Sequence, residues 1–247
     1  MNKYLNKLHL LFILRNPIKV FKKIIKPNLN ISYIDKTSFS KYQIKIETIV
    51  EAGAADGVDT MEFTSIFPNA TIFAIEPVSA QYIYLKDKFK ENKNVNVHNL
   101  ALDSKSGIAE IYIGSNTGFL QGNGSSSLMR PTKHKDIFPE IEFKLTEKVQ
   151  TLTLSEFCLI NNINYIDLLW LDLQGKEFEV ILASKNFIKT RVKLIHTELS
   201  RIQLYEGMKT ERQIHRLMKT LGFLTATDAV GAVSGNRLYV NNSIASQ

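Results

Sequence analysis

The regular alternation of short apolar runs with helical stretches is the feature of this sequence that most constrains its fold. Residues 71–75 and 165–171 are the clearest apolar runs, and both are rich in aliphatic side chains. Strands that alternate with helices predict a parallel sheet covered by helices on both faces. The predicted strands are residues 47–50, 71–75, 95–100, 108–113, 148–153, 165–171, 192–198, 223–227 and 237–240. The predicted helices are one that ends near residue 66, and residues 81–91, 177–184 and 211–221.

The last two predicted strands indicate that the sheet is not wholly parallel. They are joined by residues 230–235, a short connection that contains glycine. Because this connection is too short for a helical crossover, the two strands must form a hairpin and one of them must run antiparallel. The predicted fold class is therefore α/β, doubly wound and mostly parallel, with one antiparallel strand near the edge. A chain of 247 residues is long enough for one such domain with a sizeable core.

The chain contains a single cysteine, Cys158, within an apolar stretch. One thiol cannot form an internal disulfide, and no Cys/His cluster in the sequence resembles a zinc site. We expect Cys158 to pack in the core, and a reducing cytoplasm fits this cysteine usage.

Positive charge is concentrated in the first 30 residues, which contain seven Lys or Arg residues and no acid. The rest of the chain carries 24 basic and 24 acidic residues, so its net charge is zero. An enzyme that acts on nucleic acid would more often carry its positive charge around the cleft, so a nucleic-acid partner is not expected. We predict a basic amphipathic extension and linker at residues 1–43 and the globular domain at residues 44–247.

The extension shows no signal for export or for membrane crossing. Its apolar run at residues 10–14 is too short to span a bilayer, and no small-residue cleavage site follows it. Beyond Pro17, apolar residues alternate with lysines up to Lys26, which predicts a short amphipathic helix with a lysine face. Two interpretations remain open: residues 1–26 contact an anionic membrane surface, or the apolar stripe packs against the domain. The expected location is the cytoplasm, with peripheral association at the inner face of the membrane under the first interpretation.

The residues that follow the predicted strands are the candidates for function, because ligands of doubly wound sheets bind beyond the carboxyl ends of the strands. After the first strand, residues 51–57 read Glu-Ala-Gly-Ala-Ala-Asp-Gly. Gly53 allows a tight turn, and Gly57 opens the next helix. Acids at positions 51 and 56 argue against a pyrophosphate and suit a ligand with an amino group and a sulfonium. The Gly-x-Gly-x-x-Gly fingerprint of dinucleotide-binding proteins is absent, which argues against NAD.

Glu76 and Pro77 follow the second strand. Glu76 lies 23 residues beyond Gly53, near the spacing of about 20 residues at which an acid binds the hydroxyls of a ribose. The alternative is that Glu76 is a solvated strand end. Its position and spacing together favour the ribose role.

Asp172 follows the apolar run 165–171, and His196 and Glu198 follow in the next strand. Asp172 could be an N-cap for the helix after it, and it could also lie at the mouth of the sheet near Glu198. Two close carboxylates could share the role of a base, hold a divalent cation or form a structural pair. The loop at residues 122–128 suits a substrate contact, and Tyr205 is a candidate for the acceptor site or for packing under a turn.

Taken together, these segments resemble the FkbM family of methyltransferases. The segments that carry the resemblance are residues 51–57, 75–77, 99–102 with Gly107, 125–128, 169–177, 196–198 and 204–207, within a similar region of roughly 45–241. The resemblance implies a seven-stranded Rossmann-like methyltransferase fold for residues 44–247, S-adenosylmethionine as cofactor, and O-methylation of a sugar or another secondary-metabolite hydroxyl. Ala55 departs from the family's pattern, which usually has Asn there. An alanine side chain cannot make the polar contact to the methionine part of the cofactor that the resemblance implies for Asn.

The expected site has a cofactor side and an acceptor side. The candidate cofactor residues are Glu51, Gly53, Ala54, Asp56, Gly57, Glu76, Pro77, Ala101 and Leu102. The candidate catalytic residues are Asp172, as base, and Glu198, as its assistant, and the candidate substrate residues are Ser126, Gln174 and Tyr205. A divalent metal is an open alternative, and a small-molecule or glycan acceptor is the expected partner. Two rival functions are a non-catalytic binding module built on the same fold and an NAD-dependent oxidoreductase that modifies sugars.

Overall fold

The computed structural model describes residues 44–116, 124–226, 229–230 and 233–245. The predicted amphipathic helix of the extension and the first two residues of the loop at 122–128 lie outside these ranges. The strands are β1 (Thr48–Ala52), β2 (Thr71–Ile75), β3 (Val95–His98), β4 (Ala101–Leu102), β5 (Gly107–Asn116), β6 (Ile141–Leu152), β7 (Ile166–Leu171), β8 (Val192–Ser200), β9 (Phe223–Thr225), β10 (Ala229–Val230) and β11 (Ser234–Asn241). The helices are α1 (Val58–Ile66), α2 (Ser79–Lys88), α3 (His134–Ile137), α4 (Leu154–Ile160), α5 (Glu177–Ala183), α6 (Lys185–Arg191), α7 (Glu211–Thr220) and α8 (Asn242–Ala245).

The main sheet has the strand order β3-β2-β1-β7-β8-β11, and β9 and β10 both pair with β11 at the far edge. Every neighbouring pair from β3 to β8 is parallel. β11 is antiparallel to β8, β9 and β10, so it runs against the other strands. With β9 and β10 sharing the edge position, this is the mostly parallel, seven-stranded sheet with one antiparallel strand that the sequence predicts.

The central strand β7 shows why these residues form a parallel sheet. All six residues of its sequence IDLLWL are buried, as expected of a parallel strand that is covered on both faces. Asp167 is the polar exception, and its carboxylate accepts the backbone N–H groups of Glu47 and Thr48, both at 2.8 Å. Lys193 forms an ion pair with the same carboxylate at 2.6 Å. These contacts satisfy the buried charge and join the amino ends of three neighbouring strands.

A small second sheet lies beside the main one, with the order β4-β6-β5. The predicted strand at residues 95–100 is divided between the two sheets: β3 ends at His98, and β4 pairs with β6. The chain bends at Asn99, whose side-chain amide donates to the carbonyls of Glu76 and Pro77, both at 3.0 Å. This bend brings β4 to the carboxyl end of the main sheet.

The main hydrophobic core lies between the sheet and helices α4 to α7. It contains Cys158, which is fully buried and free, so the prediction that this thiol packs in the core is confirmed. Helix α4 has no counterpart among the predicted elements, although Thr153 and Glu156 form a capping box that is visible in the sequence. Gly222 follows the last turn of α7 with a φ of 86°, the left-handed conformation in which many helices end.

The described ranges contain no helix with the length and apolar character that a membrane span requires.

Candidate functional site

A cleft opens at the carboxyl ends of β1, β2, β4 and β7. It encloses about 570 Å³, part of which is open to solvent. The residues that line it are Gly53, Ala55, Ile75, Glu76, Pro77, Gln81, Ala101, Leu102, Ile111, Gly124, Ser126, Leu128, Asp172, Leu173, Gln174 and Lys176. The cleft therefore joins predicted cofactor residues to predicted catalytic and substrate residues in one site.

The turn after β1 requires glycine for a steric reason. Gly53 has a φ of 92°, and a Cβ atom placed on it would lie 2.0 Å from the backbone oxygen of Asp172. The turns after β1 and β7 are thus in backbone contact, and a side chain at position 53 would push them apart. Ala55, in the same turn, has a φ of 47°, a left-handed conformation that Asn adopts more readily than Ala.

Glu76 is buried at the wall of the cleft and holds the turns around it. Its two carboxylate oxygens accept the backbone N–H groups of Ala55, at 2.9 Å, and Val78, at 2.8 Å. Burial raises the pKa of Glu76 to about 7, and the two backbone hydrogen bonds oppose this rise. A carboxylate has about four lone-pair sites, so Glu76 can still accept hydroxyl groups from a ligand.

Four of the predicted cofactor residues lie outside the lining of the cleft. The Glu51 side chain is buried and accepts a hydrogen bond from the Thr60 hydroxyl at 2.6 Å. Burial raises the pKa of Glu51 to about 8. Ala54 packs in a separate apolar cluster with Leu85 and Phe89.

The other two are Asp56 and Gly57. Asp56 is exposed, and its carboxylate accepts the backbone N–H of Val58 at 3.1 Å at the start of α1. Gly57 has a φ of 69°, and a Cβ atom there would lie 2.5 Å from Leu85. These residues therefore shape the turn before α1 rather than the surface of the cleft.

Asp172 and Glu198 form a carboxyl pair at the mouth of the main sheet, bridged by the amide of Gln174. Gln174 Nε2 lies 2.6 Å from Asp172 Oδ1 and 3.2 Å from Glu198 Oε2. Burial and the neighbouring Glu198 raise the pKa of Asp172 well above its ordinary value. Burial also raises the pKa of Glu198, to about 7. Like charges this close do not both ionise readily, so the pair tends to share one proton near neutral pH.

Tyr205 reaches the carboxyl pair only through Gln174. Tyr205 is 1% exposed, and it is absent from the lining of the cleft. Its hydroxyl lies 3.0 Å from Gln174 Oε1 and 2.9 Å from the Ser125 carbonyl oxygen. Ser126 does line the cleft, and its hydroxyl oxygen accepts the backbone N–H of Gly114 at 3.1 Å.

Two further residues of the turn at 172–177 contribute to the site, although they are absent from the predicted set. Lys176 lines the cleft, and its ammonium forms an ion pair with Asp103 at 2.7 Å. The buried carboxylate of Glu177 accepts the backbone N–H groups of Leu173, at 2.8 Å, and Gly175, at 3.1 Å. The signal was present in the sequence, because both residues lie within residues 169–177, one of the segments that carry the family resemblance.

His196 lies one row deeper than Glu198 on β8 and does not reach the cleft. Its ring stacks on Trp170 with the centroids 3.4 Å apart. Burial lowers the pKa of His196 to about 3, so the imidazole is neutral at physiological pH. Within the described residues, no group of three or more His, Cys, Asp or Glu side chains is arranged to hold a metal ion.

Comparison with known proteins identifies relatives of the chain. The family described as the methyltransferase FkbM domain matches residues 51–225. The 2-O-methyltransferase NoeI of Sinorhizobium fredii (strain NBRC 101917 / NGR234) is 25% identical over 210 residues, which cover 85% of this chain and 86% of that protein.

Two solved structures are also similar at low identity. Precorrin-6y C5,15-methyltransferase from Geobacter metallireducens GS-15 aligns with a TM-score of 0.46 and 13% identity, covering 87% of this chain and 89% of that chain. Aeropyrum pernix fibrillarin in complex with natively bound S-adenosyl-L-methionine aligns with a TM-score of 0.46 and 8% identity, covering 80% of this chain and 67% of that chain.

Proposed function

Because this chain belongs to the FkbM methyltransferase family and is therefore an S-adenosylmethionine-dependent methyltransferase, we propose that it methylates a hydroxyl oxygen of a sugar, a glycan or a related small metabolite. The observation that carries the proposal is the carboxyl pair of Asp172 and Glu198 beside the cleft. A hydroxyl is weakly acidic and must lose its proton when it is methylated, so a carboxylate base suits this acceptor. The similarity to a 2-O-methyltransferase supports the same class of reaction.

The cofactor would occupy the part of the cleft between the turns after β1, β2 and β4. Gly53 presents backbone without a side chain, Glu76 supplies carboxylate oxygens for the ribose, and Ala101 and Leu102 supply apolar surface for the adenine. Pro77 lies at the same wall. The mixture of apolar surface and a buried carboxylate fits a ligand that carries a diol, an apolar ring and positive charge, and it would not suit a pyrophosphate.

Asp172 would accept the proton of the acceptor hydroxyl. When bound, S-adenosylmethionine supplies a methyl group that is activated by its sulfonium. Asp172 has to hold the acceptor oxygen in line with that methyl group and take up its proton as the new bond forms. Once ionised, Asp172 is a stronger base than an exposed aspartate, because its pKa is raised. Glu198 would assist by sharing the proton that the pair retains near neutral pH.

The experiment that tests this assignment separates binding from turnover. Glu76→Gln replaces one carboxylate oxygen with an amide donor, so we expect the affinity for S-adenosylhomocysteine to fall about tenfold or more in titration calorimetry. Asp172→Asn keeps the shape and removes the charge, so it should bind S-adenosylhomocysteine as the wild type does and lose about 100-fold or more in turnover. Full turnover by Asp172→Asn would refute the base role, and unchanged affinity of Glu76→Gln would remove Glu76 from the cofactor site.

We also propose the domain division at residue 43, with residues 44–247 as the methyltransferase domain and residues 1–43 as a basic extension. The match to the family lies wholly within the proposed domain. The extension holds the excess positive charge of the chain, and an anionic membrane surface is its proposed partner. The charge balance of the domain gives no support to a nucleic-acid acceptor.

A further inference from the structure

We infer that the methyltransferase domain carries a membrane contact of its own, at the end of the main sheet opposite the cleft, which binds anionic lipid. The contact surface, called here the amino-end face, consists of Leu159, Ile160, Tyr165, Lys189 and Arg191. This inference rests on the proposed contact of the extension with an anionic membrane. It adds a site on the domain that the charge of the extension does not reveal.

The amino-end face is built where two helices lead into neighbouring strands. Helix α4 ends at Ile160 and is followed by a turn into β7, and helix α6 ends at Arg191, directly before β8. Because β7 and β8 are parallel neighbours, both helices end at the amino end of the sheet. Leu159 and Arg191 line one groove there, so the two helix ends form a continuous surface.

Three large apolar side chains of this face are exposed to solvent. Leu159 is 78% exposed, Ile160 is 64% exposed and Tyr165 is 59% exposed. Leu159 and Ile160 are consecutive in the last turn of α4, and the main core is formed by other residues of that helix. Two aliphatic side chains beside a tyrosine, whose ring is apolar and whose hydroxyl is polar, suit insertion into the interfacial layer of a membrane.

The cations of the amino-end face suit an anionic surface. Lys189 and Arg191 are exposed in the last turn of α6, and neither forms an ion pair with another described residue. The Arg191 guanidinium carbon lies 5.7 Å from the centre of the Tyr165 ring, and Nη1 donates to the Asn164 carbonyl at 3.2 Å. These contacts hold the guanidinium beside the apolar residues and leave other N–H groups for a lipid phosphate.

The carboxylates that line the adjoining groove do not oppose this charge. They belong to Glu47 and Asp167, which pair with Lys45 and Lys193, each at 2.6 Å. Residue 44, which precedes Lys45, leads into the amino end of β1, so the extension is joined to the domain at this same end. Two weak contacts on one chain reinforce each other, because the first raises the effective concentration of the second at the membrane.

Lipid suits the amino-end face better than a second copy of the chain does. A two-fold contact through this face would bring the same cations of both copies together, and like charges at an interface oppose association. Lipid binding here also orients the cleft. Because β7 is six residues long, the cleft opens about 20 Å from this face, away from the lipid. The acceptor hydroxyl therefore enters the cleft from the aqueous side.

The test is flotation of the full chain with vesicles of phosphatidylcholine that contain phosphatidylglycerol. Leu159→Ser combined with Ile160→Ser should lower the partition coefficient about tenfold, because two aliphatic side chains no longer enter the membrane. Lys189→Glu combined with Arg191→Glu should lower it at least as much, and this loss should shrink at high salt.

The matched control is Ile83→Ser combined with Tyr84→Ser. It removes a similar pair of consecutive apolar residues, 65% and 51% exposed, from the middle of α2, and it should bind vesicles as the wild type does. All variants should keep the wild-type thermal unfolding and affinity for S-adenosylhomocysteine, because none of these residues lines the cleft.

The outcomes separate this inference from the proposed role of the extension. If both amino-end variants float as the wild type does, the inference is refuted and the contact of the extension with lipid stands. If the wild type does not float with anionic vesicles, both are refuted. A loss of binding in both amino-end variants and not in the α2 control supports the inference.

Discussion

The burial of Glu51 predicts how strongly the stability of the protein depends on pH. Its side chain is 1% exposed on β1, and its pKa of about 8 in the folded state compares with an ordinary value of 4.5. Between these two values the folded state binds a proton that the unfolded state has lost, so wild-type stability falls as the pH rises through this window. Glu51→Gln cannot titrate and keeps an oxygen to accept the Thr60 hydrogen bond. At about 1.4 kcal/mol per pKa unit, the free energy of unfolding of the variant should rise by about 3 kcal/mol relative to that of the wild type as the pH rises from roughly 4.5 to 7.5.

The assay is urea denaturation of both proteins across this pH range. At each pH, the free energy of unfolding of the wild type is subtracted from that of the variant. The change of this difference with pH is the quantity that tests the prediction, because the cost of burying an amide is the same at every pH and cancels. Glu91→Gln, at an exposed position, is the control and should show no such change. A difference that stays constant with pH would refute the reasoning. Since Glu51 lies outside the cleft, its replacement should also leave the affinity for S-adenosylhomocysteine unchanged, and a loss of about tenfold would contradict that placement.

Three further predictions concern other parts of the chain. Gly53→Ala should abolish cofactor binding, because its Cβ atom would meet the Asp172 carbonyl, whereas Gly222→Ala, with a similar φ and open space around it, should lower stability alone. Titration calorimetry and thermal denaturation of the two variants check this, and equal cofactor affinity in both would contradict it. Cys158 should react with a thiol reagent only after denaturation, because burial raises its pKa to about 12, and rapid labelling of the native protein would show otherwise. The full chain should float with anionic liposomes, less so at high salt, and a chain that starts near residue 30 should not; equal flotation would exclude the extension as an anchor.

The architecture was largely predictable because its signals are local. The apolar run of β7 and the short connection before β11 indicated the parallel sheet and its antiparallel strand directly. The division between β3 and β4 was not predictable, because the bend at Asn99 depends on carbonyl acceptors at Glu76 and Pro77, which lie far away in the sequence.

The candidate site was predictable in its location and less so in its details. The rule that ligands bind beyond the carboxyl ends of strands brought Gly53, Glu76 and Asp172 to one cleft. The rule does not say which side chains of a turn face the ligand, so it could not separate Glu51, which points into the interior of the protein, from Gly53. Nor could it show the ion pair of Lys176 with Asp103, which joins two distant segments.

The measurement that tests the central claim most directly is transfer of a labelled methyl group from S-adenosylmethionine into an extract of the source cells, followed by separation into glycan, lipid, protein and RNA fractions. The account predicts that the wild type labels carbohydrate, that the label resists mild base as a methyl ether does and a methyl ester does not, and that Asp172→Asn transfers none. Label that enters only protein or RNA, or equal labelling by wild type and Asp172→Asn, would contradict it.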